Sequence, residues 1–326
     1  MNTQAWVEED FGITLTSLTE VHHGADELAR LWEATAVDGS RYAVKLSAGG
    51  TSAGVGVAAW LSSRGVRGVP PPVRTRTGEL FSVRDGRRLS MVPWIADTHA
   101  MSVGLSRPQW QAFGHLLSRV HATPPPPDLP RESYDPSELL AYVGEMDALA
   151  RSTQPQDDDL TREAVALWLS SWDRLSFLAA QAAGLAGTLR TAEPSSPYVL
   201  CHADPHLGNV LLGVEGLWLI DWDDAVVAPR ERDLMFVVGG GVLPWALATG
   251  EEQGWFAEGY GPAAPDPSRM AYYLSTRALE DVAYPVREVL GTGERGSREG
   301  ALEIVRAVLS PTGLVGTALS WASGQG

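Results

Sequence analysis

Residues 199–212 read VLCHADPHLGNVLL, and four residues later residues 217–224 read LWLIDWDD. Each segment is a short apolar run opening onto polar side chains: His202, Asp204, His206 and Asn209 in the first, Asp221, Asp223 and Asp224 in the second. Runs of that length bounded by turn residues predict buried strands, so the carboxylates stand at the mouth of a buried hairpin. Charge in such a place must be paired, bound to a cation or used in chemistry, because desolvating it alone is costly. Three readings are open here. The H-x-D-x-H run could offer two imidazoles and a carboxylate to the metal of a hydrolase. The loop could be a set of satisfied hydrogen bonds. The third reading is phosphoryl transfer, which needs a carboxylate for the proton of the attacking hydroxyl, hard oxygen ligands for magnesium and a cation on the nucleotide phosphates.

The third reading finds its parts in order. Asp204 and Asn209 have the D-x-x-x-x-N spacing of a phosphotransfer catalytic loop. Asp204 then serves as base, with Asn209 and Asp221 as metal ligands. The cation comes from far upstream. Of 25 basic residues only one is lysine, Lys45, and it lies in the alternating segment RYAVKLS after a turn at Asp38-Gly39. A compact ammonium on a strand suits a nucleotide phosphate site.

Outward from these segments the chain divides in character. Residues 13–21, 28–35 and 42–46 alternate with short turns between them, which predicts an antiparallel meander. A glycine-weakened helix is expected over 52–63, and further strands over 80–83 and 89–95. From Arg107 the period changes: Trp110, Phe113, Leu116, Leu117 and Val120 share one helical face. Helical patterns resume at 137–151, 160–184, 269–290 and 298–309. The expectation is an α+β chain, with a strand-rich part at 1–95 and a mainly helical part at 96–326.

Composition narrows the function. The 326 residues carry a net charge of −15 with a pI near 4.9, which disfavours a nucleic-acid partner. Residues 1–95 balance ten acidic against ten basic side chains, so the whole negative excess belongs to 96–326. That excess suits either solubility or attraction of a cationic partner. One cysteine, Cys201, excludes an internal disulfide framework and is read as core packing. The N-terminus lacks a basic, apolar leader, and no uncharged stretch reaches the length of a membrane span, so a cytoplasmic protein without membrane attachment is expected.

The same residues resemble the aminoglycoside phosphotransferase family, a branch of the kinase-like fold, and most closely its spectinomycin kinase subgroup. The likeness lies in His202-Ala-Asp204…Asn209, in Ile220-Asp221-Trp222-Asp223, in the stretch from Asp221 to Phe236, in Gly239–Gly241 and in Ala271-Tyr272-Tyr273…Glu280-Asp281. It implies a bilobal protein-kinase-like fold, with a small antiparallel-sheet N-lobe and a larger, mainly helical C-lobe. It implies Asp204 as catalytic base, Asn209 and Asp221 as magnesium ligands, and Lys45 as phosphate-binding lysine. Residues 91–95 resemble the hinge that holds adenine: Pro93, lacking an N–H, offers only its carbonyl, which leaves Ile95 to donate. Gly24 stands in the phosphate loop, and Asp233 resembles a bracing aspartate.

Two departures stand out. The phosphate loop has a single glycine, and residues 46–78 contain no acidic side chain where a helix glutamate normally pairs with the lysine. The expected activity is ATP-dependent transfer to a hydroxyl of a cationic aminocyclitol antibiotic such as spectinomycin. Trp222, Asp223, Asp224, Glu280 and Asp281 are the candidate substrate contacts. A kinase of another hydroxyl compound (a different antibiotic, a sugar or a biosynthetic intermediate) is the alternative, and the absent glutamate keeps a pseudokinase in view.

Overall fold

The computed structural model describes residues 3–21, 29–48, 52–154, 158–191, 197–242, 247–262 and 264–324. Contacts group these into two compact units, one of residues 1–130 with 199–227, the other of residues 131–198 with 228–326.

The first unit opens with helix α1 (Thr3–Phe11), followed by strands β1 (Leu15–Val21), β2 (Ala29–Ala36) and β3 (Arg41–Ser47). Helix α2 (Ala53–Ser63) comes next, then β4 (Ser82–Arg84) and β5 (Arg87–Pro93) around an Asp85-Gly86 turn. The five strands form one antiparallel sheet in the order β1-β2-β3-β5-β4, with Lys45 paired to Leu31 on one side and Ser90 on the other. Lys45 therefore rides on the central strand. Val44 and Leu46, its neighbours on the opposite face, join Trp32, Ala34, Leu89 and Met91 in a core that Val7 and Phe11 of α1 close. Such alternation buries one face of the strand and leaves the other for a polar task. Arg84 Nε donates to Asp10 Oδ2 at 2.8 Å, tying α1 to β4. This guanidinium, helped by the Ser82 hydroxyl, outweighs partial burial and holds the Asp10 carboxyl below its ordinary range.

The unit continues through α3 (Ala100–Val103) and α4 (Arg107–His121). The apolar face read from the sequence is the buried face of α4, with Trp110, Phe113, Leu116, Leu117 and Val120 inside. In the second unit, α5 (Ser137–Ser152) and α6 (Asp159–Thr191) pack with the later helices. The chain then returns to the first unit through β6 (Val199–Cys201), a 3₁₀ turn at Leu207–Asn209, and the hairpin of β7 (Val210–Gly213) and β8 (Gly216–Leu219). Strand β9 (Val226–Ala228) leads to α7 (Glu231–Leu234), α8 (Gly250–Tyr260), α9 (Pro267–Leu290), α10 (Arg295–Leu309) and α11 (Leu314–Ala322).

The core of the second unit is built around α9, whose Tyr273, Leu274, Ala278, Val282 and Val286 are almost wholly inside. Residues 295–322 are apolar and long enough to pass as a membrane-spanning stretch. They form two helices, and Val305, Val308, Leu314 and Val315 belong to this core.

The sequence reading missed α1, α8 and α11 and stopped α6 at Gly184. Thr249 caps α8 through a reciprocal box with Glu252, a signal present in the sequence. Helix α6 runs through Gly184 and Gly187, where a Cβ would meet nothing, so those glycines mark no close approach.

Gly68 does mark one. Its φ is +85°, a Cβ there would lie 2.8 Å from Leu217 O, and its own carbonyl accepts the Leu219 N–H at 2.8 Å. The segment after α2 thus lies directly on β8. Gly68→Ala combines an unfavourable φ with a backbone clash. We expect it to lower unfolding free energy by about 2 kcal/mol in urea denaturation, with Gly78→Ala, where φ is +88° and the space is open, costing less.

Candidate active site

The hairpin brings the two polar clusters together, and His202 joins them. Its Nδ1 accepts the Asp204 N–H at 3.2 Å, so Nε2 carries the ring proton and donates to Ile220 O at 2.8 Å. One fully buried imidazole thus couples the loop of Asp204 to the residue before Asp221. The Trp222 indole packs on it, ring centroids 4.5 Å apart, and donates to Leu219 O at 3.0 Å. Both nitrogens of His202 are spent on the backbone, so it cannot complete an H-x-D-x-H metal triad.

The loop itself is a chain of short-range bonds. His206 N–H donates to Asp204 O at 2.9 Å, Asn209 N–H donates to His206 O at 2.8 Å, and Ile220 N–H donates to Asn209 O at 3.0 Å. Asn209 Nδ2 donates to Asp204 O at 2.9 Å and to Asp204 Oδ2 at 3.3 Å. Because the amide nitrogen faces Asp204, the hard oxygen Oδ1 is the atom left to a cation. His206 Nδ1 accepts the Gly208 N–H at 2.9 Å, which puts the proton on Nε2, 3.4 Å from Asp204 Oδ2. One oxygen of Asp204 thus accepts from the Asn209 amide and has the His206 imidazole beside it. His99 Nδ1 donates to Gly208 O at 2.6 Å, and Leu212 N–H donates to Thr98 O at 3.0 Å, so the segment after β5 buttresses the same loop.

Backbone conformations are unusual here. Ala203 has φ +73° and Asp221 φ +61°, a region that side chains enter at a cost. Both flank the His202 bridge. Asp221 is the more open carboxylate, its side chain 52% exposed against 21% for Asp204.

Lys45 reaches this loop from β3. Its Nζ lies 2.6 Å from Asp223 Oδ2 and 3.6 Å from Asp221 Oδ1. Helix α2 stands against the same place, since a Cβ on Gly54 would fall 2.1 Å from Asp223 Oδ1. Pro93 ends β5 opposite Tyr42, and among the described residues nothing accepts the Ile95 N–H. Gly24 lies outside the described residues.

The substrate candidates fare differently. Trp222 is only 3% exposed and packs inside, so it is no wall to a cavity. Asp223 is engaged by Lys45, and Asp224 is exposed. Glu280 and Asp281 lie on α9 in the second unit, where Asp281 Oδ1 forms an ion pair with Arg277 Nε at 2.8 Å. Asp233 is fully buried in α7. Sequence reasoning missed His206 and His99 as supports of the loop and placed Asp223 with the substrate.

A carboxylate beside an amide, a second, exposed carboxylate and a strand-borne lysine are groups of the kind that phosphoryl transfer uses. The chain belongs to the phosphotransferase enzyme family, whose family model matches residues 7–273. It is similar to a crystal structure of spectinomycin phosphotransferase APH(9)-Ia in complex with ADP and spectinomycin. That likeness is 26% identity over 98% of this chain and 97% of the other, with a TM-score of 0.85. An AMP-bound complex of the same enzyme matches at 25% identity over 97% of each chain, with a TM-score of 0.81. An amicoumacin kinase in complex with AMP-PNP, calcium and amicoumacin shares the fold, with a TM-score of 0.64 at 16% identity over 95% of this chain and 93% of the other. No curated protein matches the sequence. The kinase-like α+β fold and the phosphotransferase class read from the sequence both hold.

His206 Nε2 stands 3.4 Å from Asp204 Oδ2 and lies on no strand of the sheet, so its loss should register in kcat and not in ATP affinity. We expect His206→Ala to lower kcat by at least about tenfold, a fraction of what general-base catalysis is worth. The KM for ATP should stay within about twofold, read from initial rates.

Proposed function

We propose that this phosphotransferase moves the γ-phosphoryl group of ATP to a hydroxyl of a cationic aminocyclitol antibiotic, spectinomycin first among them, and so confers resistance. The observation that carries the acceptor is the 26% identity and 0.85 TM-score to a spectinomycin phosphotransferase over nearly the whole of both chains. The negative excess of residues 96–326 supports it, since it suits an acceptor with protonated amines. In this reading residues 1–95 serve the nucleotide and residues 96–326 the acceptor. Exposed Asp224 is a group for an ammonium centre of the acceptor.

The chemistry follows from the loop. Asp204, its carboxylate held through Oδ2, takes the acceptor's hydroxyl proton as that oxygen forms its bond to the γ-phosphorus. The bond from phosphorus to the β–γ bridging oxygen breaks, and ADP leaves. Lys45 neutralises charge on the phosphates during this exchange. Pro93 O and Ile95 N–H serve the adenine edge, and Gly24 the phosphates. Asn209 Oδ1 and Asp221 form an all-oxygen donor set, which fits magnesium, whereas the loop's imidazoles are committed elsewhere. Magnesium, when bound there, supplies positive charge to the phosphate oxygens.

Purified protein with ATP, magnesium and spectinomycin should yield an antibiotic heavier by one phosphoryl group in mass spectrometry, and Asp204→Asn should yield none. Asp221→Asn keeps the side-chain shape and tolerates φ +61°. It should fold normally by circular dichroism yet lose magnesium-dependent turnover. Transfer to a different hydroxyl compound, with none to spectinomycin, would replace the acceptor and leave the phosphotransfer chemistry in place.

A further inference from the structure

We propose that Asp223 is the positioning carboxylate of Lys45, supplying from the loop after Asp221 what kinases take from a helix glutamate, and that Gly54 is the gap in α2 that admits it. The nucleotide role of the pair rests on the function proposed above.

Three observations meet at this point. Lys45 Nζ lies 2.6 Å from Asp223 Oδ2, a full ångström closer than to Asp221. Helix α2, the helix that follows the lysine strand, carries no acidic residue, and neither does any position from 46 to 78. Where a kinase helix would extend a carboxylate, this one presents a glycine. A Cβ on Gly54 would fall 2.1 Å from Asp223 Oδ1 and 3.0 Å from its Cα and N, so the helix backbone rests directly on residue 223.

The loop can take over this task because it is rigid. Trp222 is anchored by its indole bond to Leu219 O and by its contact with His202, and the Ala225 N–H closes a turn on Trp222 O at 3.0 Å. Asp223 is fixed between those points. Its side chain is 39% exposed and that of Lys45 29%, so the pair adds little to stability. Its value is geometric. A free lysine samples many rotamers, and holding one of them in advance removes an ordering cost from nucleotide binding and transfer.

Lys45 is the only lysine in the chain, so protein made with side-chain ¹⁵N-lysine gives one lysine ammonium signal. In ligand-free protein we expect a sharp signal, protected from exchange with water. Asp223→Asn and Gly54→Ala should both broaden or abolish it, whereas Asp221→Asn should leave it sharp. In turnover, Asp223→Asn should lower kcat at least about tenfold, with Asp223→Glu recovering part of the loss. A signal unchanged by Asp223→Asn, or lost equally in Asp221→Asn, would overturn the assignment. So would full kcat in Asp223→Asn. The ammonium signal needs neither nucleotide nor acceptor. Failure of the wild-type protein to bind ADP in calorimetry would therefore overturn the functional reading separately, by removing the purpose of the pair while leaving the pairing itself in place.

Discussion

The structure of the first unit depends on a problem of like charge. Asp221 and Asp223 follow directly on one small hairpin, and Asp204 lies in the loop that leads into it, so three carboxylates belong to one short stretch of structure. In the function proposed above, polyphosphate adds further negative charge, so a cation must be delivered there in a fixed position. The chain meets this with one ammonium, Lys45, carried on the central strand of the sheet and aimed at the loop. The alternation that buries Val44 and Leu46 in the sheet core is what turns Lys45 the other way. Core packing and electrostatics are thus set by one periodicity.

The loop that receives Lys45 is held by backbone bonds more than by ion pairs. His202 spans from the Asp204 N–H to the Ile220 carbonyl, so Asp204 and the residue before Asp221 share one buried ring. Among the described residues four non-glycines have positive φ, and two of them, Ala203 and Asp221, flank that bridge. Strain of this kind persists only where neighbouring bonds over-determine the conformation, and here they do. The cost is local, and it sets Asp204 and the more open Asp221 at the two ends of one buried imidazole.

Much of this was legible in the sequence because it is local. The meander, the α4 face, the hairpin and the Asp204–Asn209 spacing are written in periods of two, three to four and five residues. The parts that escaped are tertiary or weakly patterned. Helix α1 buries only Thr3, Val7 and Phe11, too few to announce itself. The grouping of residues 199–227 with residues 1–130 is a matter of contacts made across a long sequence gap. Asp223 was assigned to the substrate because its partner lies 178 positions upstream. The clue was negative: a stretch from 46 to 78 without a carboxylate means that the lysine must find one elsewhere. Gly54, which reads as a flaw in a helix, is the place where that carboxylate fits. Trp222 reads as a wall and is instead packing for His202.

The central claim is that Asp204 is spent on the chemistry while Lys45, Asn209 and Asp221 hold the nucleotide. Calorimetric titration of Asp204→Asn with magnesium and ADP, set beside its rate of phosphoryl transfer in a single turnover, tests this most directly. The account requires ADP affinity within about threefold of wild type together with a loss of transfer of at least about a hundredfold, the low end of what a general base contributes. Transfer at a near wild-type rate, or a collapse of ADP binding that accounts for the whole loss, would contradict it.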